Sequence, residues 1–116
     1  MTVTLAMVTI DCADPRRLAE FWTKALETDI ALDYGEFLML NPTGGGVRLA
    51  LQQVPEPRAG KNRIHVDLET TDRPGDVAKL VGLGATQLAE HEAPGFAWTV
   101  LSDPEGNQFC VAEHHD

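Results

Sequence analysis

The sequence has few of the basic residues and none of the long apolar runs that are typical of nucleic-acid-binding and membrane-spanning proteins. Lysine and arginine number 9 against 18 aspartates and glutamates, which leaves a net charge of −9 over 116 residues. A surface this acidic repels phosphate backbones and anionic lipid headgroups. No apolar run approaches the roughly 20 residues that a membrane-spanning helix requires. We therefore expect neither a nucleic-acid partner nor a membrane partner.

Cysteines and targeting signals are scarce as well. The chain contains only Cys12 and Cys110, and both stand among apolar neighbours, so buried free thiols are predicted rather than a disulfide framework. Residues 1–5 show no basic region that leads into an apolar stretch, which is the pattern of a signal peptide. A cytoplasmic location is the resulting expectation.

Common catalytic and nucleotide-binding motifs are missing too. The sequence has no Gly-x-Gly-x-x-Gly after a strand, no phosphate-binding loop, no Cys-x-x-Cys and no Gly-x-Ser-x-Gly. Its one glycine run, at 44–46, leads into a strand-like segment and therefore predicts a turn rather than a nucleotide cradle.

What the sequence does contain is one order of elements that occurs twice. In the first half, alternation over 5–11 predicts a strand, and Asp14 followed by Pro15 predicts the start of a helix over 15–26. Three short strands are predicted after this helix, at 30–33, 37–40 and 47–53. A linker over 54–62 follows, because its prolines and glycine interrupt regular structure.

The same order of elements then begins again. Alternation over 64–69 predicts a strand, and Asp72 precedes the helical spacing of Val77, Leu80 and Val81. Three further strands are predicted, at 87–90, 96–101 and 108–113.

The two halves therefore form an internal repeat. When one half is laid over the other, Met7 falls on His65, and each half reads as a strand, a helix and three more strands. This order is a βαβββ module. We predict a single domain over the whole chain, with modules at about 1–55 and 62–116.

The alternation of side chains along the strands also predicts which face of each sheet is covered by a helix and which faces a cavity. One face carries apolar rows that a helix would cover, namely Val8/Ile10, Val47/Leu49/Leu51, Ile64/Val66/Leu68 and Phe109/Val111. The opposite face mixes polar and apolar side chains, and a curled sheet would wrap this face around a cavity. We predict an α+β fold of two βαβββ modules whose curled mixed sheets form a ligand-binding cleft.

The candidate ligand-binding residues lie on the mixed face. His65 either hydrogen-bonds a ligand and acts as an acid or base near neutral pH, or is a structural histidine. Asp67 shares its face. Cys110 is a nucleophile if His65 lowers its pKa, or otherwise a small buried strand residue.

Two larger side chains complete the candidates. Trp98 either lines the cavity and stacks on a planar ligand, or contributes apolar area to the core. Arg48 pairs with an anionic ligand, or instead with Asp67 or Glu36.

Three stretches of the sequence, 8–22, 60–68 and 98–110, resemble the vicinal oxygen chelate superfamily. The most specific piece is Asp103-Pro104-Glu105-Gly106-Asn107 leading into a closing strand, and the second is Asn62-Arg63-Ile64-His65-Val66-Asp67. More narrowly, the chain is similar to glyoxalase-like domain proteins, which are relatives of glyoxalase I, bleomycin-resistance proteins and ring-cleaving dioxygenases.

The resemblance implies paired βαβββ modules, often in homodimers, and in the metalloenzymes a divalent ion held by first-strand and last-strand residues of each module. On this sequence those positions are Met7, His65, Cys110, and either Arg48 or Ala50. Methionine and arginine cannot replace the imidazole and carboxylate ligands of such centres. We therefore predict no standard metal centre and no cofactor.

Three functions stay open at this point. The one we favour is a homodimeric glyoxalase-like protein that binds and sequesters a small organic molecule, such as an antibiotic. Its ligand site would hold Met7, Arg48, His65, Asp67, Trp98 and Cys110. The second is a lyase, isomerase or dioxygenase with an altered centre that includes His65. The third is a structural or regulatory dimer module without a chemical ligand.

Overall fold

The structure, a computed structural model, describes residues 5–44, 46–62 and 64–114 and divides into two compact units between Arg58 and Ala59. The first unit contains β1 (Met7–Cys12), α1 (Pro15–Ala25), β2 (Ile30–Asp33), β3 (Phe37–Leu40) and β4 (Arg48–Gln53). The second contains β5 (Asp67–Thr70), α2 (Arg73–Gly82), β6 (Thr86–Ala93), β7 (Phe96–Ser102) and β8 (Gln108–His114). The predicted α+β class with two βαβββ modules is confirmed.

Both units have the same mixed sheet topology. The strand order is β1-β4-β3-β2 in the first sheet and β5-β8-β7-β6 in the second. In each sheet the first strand of the module runs parallel to the last, and the remaining neighbours are antiparallel. Because the first and second strands of a module lie at opposite edges, neither sheet closes on itself.

Each helix begins where the sequence predicts because an aspartate caps it. The Asp14 carboxylate accepts a hydrogen bond from the backbone N–H of Arg17 (3.3 Å), and Asp72 accepts one from Gly75 (3.1 Å). A proline in the first turn of each helix has no N–H that needs an acceptor. Neither of these described helices is long and apolar enough to cross a membrane.

The predicted apolar rows are buried in the last strand of each module, but their members near the first strands, Val8, Ile10, Val66 and Leu68, are only half-buried. Four of their side chains are buried: Leu49, Leu51, Phe109 and Val111. Ile64 is 81% exposed, so the prediction that it belongs to the core is wrong. Val47 is also exposed. Both residues precede the first residue of their strands, where no ladder orients a side chain toward the helix.

The strand β6 is longer than the predicted segment 87–90. It extends to Ala93 because Pro94 and Gly95 form a two-residue hairpin that pairs Ala93 with Phe96. Gly95 has a φ of 91°, a conformation that glycine adopts without steric cost. The hairpin therefore carries strand pairing three residues beyond the predicted end of β6.

Candidate functional site

One face of the second sheet lines an open pocket of about 640 Å³. Residues that pair directly on neighbouring strands project from the same face of a sheet. The register gives two such rows in the pocket, Asp67–Cys110–Val100 and Ala112–Trp98–His91. Lys61, His65 and Gln108 add polar groups to the lining. The structure thus brings four predicted site residues together in one unit: His65, Asp67, Trp98 and Cys110.

His65 lines the pocket from the segment before β5, which corrects the prediction of a strand over 64–69. The strand begins only at Asp67. One ladder contact precedes it, in which the backbone N–H of Cys110 donates to the carbonyl oxygen of Val66 (3.0 Å). The His65 side chain is 43% exposed, so its ring is accessible from the pocket.

Asn62 holds the segment that carries His65 against β8. The backbone N–H of Gln108 donates to Asn62 Oδ1 (2.9 Å), and Asn62 Nδ2 donates to the Gln108 carbonyl oxygen (3.3 Å). Asn62 Nδ2 also donates to the carbonyl oxygen of Ile64. The side-chain amide therefore substitutes for a backbone strand partner, which explains why regular pairing begins only later. The sequence marks Asn62 as part of a motif but does not reveal this positioning role.

His65, Asp67 and Cys110 form a compact polar cluster in the pocket. His65 Nδ1 lies 3.3 Å from Asp67 Oδ1 and 3.9 Å from Cys110 Sγ. One ligand-type atom from each of the three residues lies within 4.8 Å of the other two. Both contacts converge on the same ring nitrogen. This imidazole is therefore not arranged as in a catalytic triad, where the two ring nitrogens contact different partners.

The surroundings of Cys110 disfavour a nucleophilic thiolate. Burial raises the pKa of the Cys110 thiol, and the carboxylate of Asp67 raises it further, against a smaller opposite effect of Lys61. The thiolate is the nucleophilic form of cysteine, and a raised pKa keeps it scarce near neutral pH. The protonated, buried thiol favours the interpretation of Cys110 as a small strand residue over that of a nucleophile.

We expect iodoacetamide to modify Cys110 slowly at neutral pH and faster as the pH rises, because the raised pKa leaves little thiolate. Asp67→Asn removes one group that raises this pKa, so it should increase the rate severalfold at the same pH. Mass spectrometry of the two cysteine-containing peptides measures both rates, and Cys12 serves as the internal control. Equal Cys110 rates in the native and the urea-unfolded chain would contradict the expectation.

The sequence analysis does not propose His91 or Lys61, both of which line the pocket, as site residues. The rings of His91 and Trp98 are stacked, with centroids 5.2 Å apart and planes at 26°. A signal for this pair exists, because counting outward from the two-residue turn at Pro94 and Gly95 places His91 opposite Trp98. Lys61 lies in the linker, where no periodicity predicts the direction of a side chain.

Met7 and Arg48, the other two predicted site residues, belong to the first unit. They are neighbours across β1 and β4 and project from one face of the first sheet. Arg48 Nη1 lies 3.7 Å from Met39 Sδ, and no ion pair forms between Arg48 and Glu36, both of which the structure describes. A ligand-binding role for Met7 and Arg48 stays a prediction.

The register identifies which residue of the first unit corresponds to Cys110. Cys110 pairs with Asp67 in the second sheet, and Ala50 pairs with Thr9 in the first. Thr9 falls on Asp67 in the internal repeat. Ala50 is therefore the counterpart of Cys110, and the alternative, Arg48, lies two residues too early.

The donor set at the four positions does not fit the metal centre that the resemblance implies. These positions hold Met7, Ala50, His65 and Cys110. Alanine has no donor atom, and a thioether is a soft ligand unsuited to an octahedral ion that prefers oxygen and nitrogen. Only one imidazole and one thiol remain, so no chemistry through such a centre follows for this chain.

Comparison with known families gives one match over nearly the whole chain. Residues 7–112 match the model described as the glyoxalase-like domain. No curated protein matches the chain at a significant level.

Several solved structures have the same fold as this chain. A glyoxalase/bleomycin resistance protein/dioxygenase family enzyme from Burkholderia phytofirmans has a TM-score of 0.83 at 18% identity, covering 97% of this chain and 99% of its own. A superfamily member from Sphaerobacter thermophilus has a TM-score of 0.77 at 24% identity, covering 97% and 98%. TnmS3, an antibiotic binding protein from a Streptomyces species, has a TM-score of 0.77 at 22% identity, covering 98% of both chains. At these identities the likeness shows the fold.

Proposed function

The chain belongs to the glyoxalase-like domain family, and from that premise we propose that it binds a small organic molecule with a planar aromatic part. The ligand occupies the pocket of the second unit and does not need the four-position metal centre. The observation that carries the proposal is the stacked His91–Trp98 pair, which contributes two aromatic rings to the pocket lining.

The size and lining of the pocket support a small-molecule ligand. Its volume of about 640 Å³ lies within the range of roughly 300–1,000 Å³ that is typical of ligand sites. Val100 and Ala112 contribute apolar surface beside Trp98. Hydrogen-bonding groups that can orient a ligand stand beside this apolar surface, on Lys61, His65, Asp67 and Gln108.

The stacked pair favours a flat aromatic ligand over a saturated one. An offset-stacked pair of rings is stabilised by about 0.5–1.5 kcal/mol beyond the area that it buries. Trp98 is half-buried and lies on the central part of β7. Its ring therefore loses little further conformational entropy when a ligand ring stacks on it. A saturated ring of the same size buries similar area but lacks this additional stabilisation.

Hydrogen-bond donors in the pocket allow the ligand to carry an anionic group on the side of Lys61, away from the carboxylate of Asp67. The chain as a whole is acidic, yet Lys61 lies in the pocket lining together with His65. An ammonium group and an imidazole can both donate hydrogen bonds to a carboxylate. An aromatic carboxylate therefore matches both the stacked rings and the donors.

The relatives support binding without requiring catalysis. Their descriptions include enzymes and an antibiotic binding protein, TnmS3, on the same fold. In the present chain, the thiol of Cys110 is kept protonated and the four family metal positions lack a hard-ion donor set. Binding and sequestration of a ligand therefore agree with the chemistry of these residues better than an altered enzyme centre does.

We expect the full chain to bind 2-naphthoate more tightly than its saturated counterpart, decahydro-2-naphthoate, because only the aromatic ring stacks on Trp98. Isothermal titration calorimetry measures both affinities. Trp98→Ala should weaken 2-naphthoate binding by about tenfold or more, since it removes the stacking surface and apolar area together. His91→Ala should weaken it less.

The matched control is Trp22→Phe, which replaces the other tryptophan, a residue buried in the first unit. This variant should bind 2-naphthoate with unchanged affinity. Equal affinity for the aromatic and the saturated compound, or undiminished binding by Trp98→Ala, would sink the proposal. So would a lack of binding by the unaltered chain to both compounds.

Homodimer formation, the absence of nucleic-acid and membrane partners, and a cytoplasmic location stay predictions. The family resemblance supports the homodimer, and the net charge of −9 supports the absence of polyanionic partners.

A further inference from the structure

The wall of the pocket has a second property, which goes beyond the proposed binding function and does not depend on it. We infer that His65, Asp67 and Cys110 form a three-ligand site for Zn²⁺. The ligand atoms are His65 Nδ1, a carboxylate oxygen of Asp67 and Cys110 Sγ, and all three lie within 4.8 Å of one another.

The distances between the donor atoms are close to those of a tetrahedral zinc site. Zn–S bonds of about 2.3 Å and Zn–N or Zn–O bonds of about 2.0–2.1 Å separate N from O by about 3.3 Å and S from N by about 3.6 Å. The corresponding separations here are 3.3 Å for His65 Nδ1 to Asp67 Oδ1 and 3.9 Å for His65 Nδ1 to Cys110 Sγ. The third separation joins an Asp67 carboxylate oxygen to Cys110 Sγ. The Asp67 side chain is 63% exposed, so it can rotate to adjust this distance.

The donor types select zinc over harder ions. One thiolate, one imidazole and one carboxylate make a mixed set that suits Zn²⁺, whereas Mg²⁺ and Ca²⁺ take oxygen ligands. Binding displaces the thiol proton of Cys110 to solvent, as it does wherever cysteine ligates a metal. Three protein ligands leave a fourth tetrahedral position for water or another small ligand.

The fold holds the backbone of the three donor residues in place before any ion arrives. Cys110 lies on β8 between β5 and β7, and Asp67 is its direct partner across the β5–β8 ladder. The segment with His65 is tied to Gln108 through the side chain of Asn62. Donors that are fixed by their supporting contacts lose little freedom when they bind an ion.

This site differs from the four-position centre that the resemblance implies. All of its ligands belong to the second unit, and it includes Asp67, which occupies none of those four positions. It also has one sulfur donor, which no octahedral hard-ion centre needs.

Cobalt serves as a spectroscopic probe for the proposed site. The full chain, stripped of metal and kept reduced, is titrated with Co²⁺ and its absorption spectrum is recorded. We expect a thiolate-to-cobalt charge-transfer band together with intense visible bands of a four-coordinate ion, saturating at one ion per chain. Added Zn²⁺ should bleach both sets of bands by displacing Co²⁺, while an equal concentration of Mg²⁺ should leave them unchanged.

Four variants assign the signal to its residues. Cys110→Ser should abolish the charge-transfer band, whereas Cys12→Ser, at the other free cysteine, should retain it. Asp67→Asn alters an exposed side chain, so it should leave the circular dichroism spectrum unchanged while weakening Co²⁺ binding. The loss should be at least about tenfold, because even outer-shell partners of metal ligands cost roughly 10- to 100-fold when removed. A double substitution of His114 and His115 by alanine, which removes the adjacent histidines near the end of the sequence, should keep the band.

The inference is overturned if the unaltered chain shows no charge-transfer band with Co²⁺, or if the band survives in Cys110→Ser. It is equally overturned if Asp67→Asn binds Co²⁺ as tightly as the unaltered chain. The 2-naphthoate titration is also carried out on the metal-stripped chain, so that its result does not depend on whether an ion is bound.

Discussion

Replacing Trp22 with alanine is expected to lower the free energy of unfolding by about 3–5 kcal/mol, the cost of removing a large aromatic side chain from a core. Trp22 is 1% exposed, and its ring meets Phe21 edge-on with centroids 5.1 Å apart. It belongs to α1, which packs on β3 and β4. Because domains are stable by only roughly 5–15 kcal/mol, this loss leaves a marginally folded protein.

Urea unfolding followed by circular dichroism measures the loss. The matched control is Tyr34→Ala, an aromatic-to-alanine change in the same unit at a side chain that is 73% exposed. We expect that control to change stability by less than about 0.5 kcal/mol. Similar losses for the two variants would mean that Trp22 is not the core residue that its burial indicates.

Replacing Asp103 with alanine is expected to cost about 2–4 kcal/mol, the second-largest effect, because it removes one buried acceptor from several donors. Asp103 is 3% exposed, and its Oδ1 accepts hydrogen bonds from the backbone N–H groups of Glu105 and Asn107, both at 2.9 Å. The side-chain amide of Asn107 donates to Asp103 Oδ2 at 3.0 Å. Without this carboxylate, the turn between β7 and β8 loses the acceptor for two backbone N–H groups.

Two milder substitutions separate the contributions within this turn. Asp103→Asn keeps one acceptor oxygen and should lose less than Asp103→Ala. Asn107→Ala removes only a side-chain donor and should cost about 1 kcal/mol. Thermal and urea unfolding of all three variants provide the ranking, and an Asn107→Ala loss as large as that of Asp103→Ala would contradict it.

Asp103 belongs to the motif that carries the most specific part of the family resemblance, and its role in this chain is structural. The stretch 103–107 closes a turn through hydrogen bonds, and none of its residues lines the pocket. The second motif contributes differently, since Asn62 positions a segment and His65 and Asp67 line the pocket. A shared motif therefore indicates shared architecture first, and shared chemistry only where its side chains reach the site.

Most elements of the fold can be predicted because they depend on local interactions. Aspartate caps locate the starts of both helices, and short apolar segments at 30–33 and 37–40 locate β2 and β3, at the residues where the structure has them. The exceptions are strand ends that depend on a partner. β5 begins late because Asn62 replaces its backbone pairing, and β6 extends further because the hairpin at Pro94–Gly95 supplies a partner.

The candidate site is predictable only in part, because its residues come from separate elements. Alternation along the predicted strands assigns Asp67 and Cys110 to the mixed face, and Trp98 is a candidate as a large aromatic side chain. The structure has all three in the pocket. His91 escapes prediction because its position depends on the register of the hairpin.

The sequence by itself determines the two βαβββ modules, their helix starts and the alternation of their strand faces, since capping and periodicity act over a few residues. The tertiary structure decides what those faces contain. It brings Cys110 beside Asp67 through the parallel pairing of β5 with β8, and it brings His65 to the same point through the Asn62 contacts. It also raises the pKa of the Cys110 thiol, through burial and through the carboxylate of Asp67, which is 43 residues away in the chain. Those distances in space follow from strand register, which no short stretch of sequence encodes.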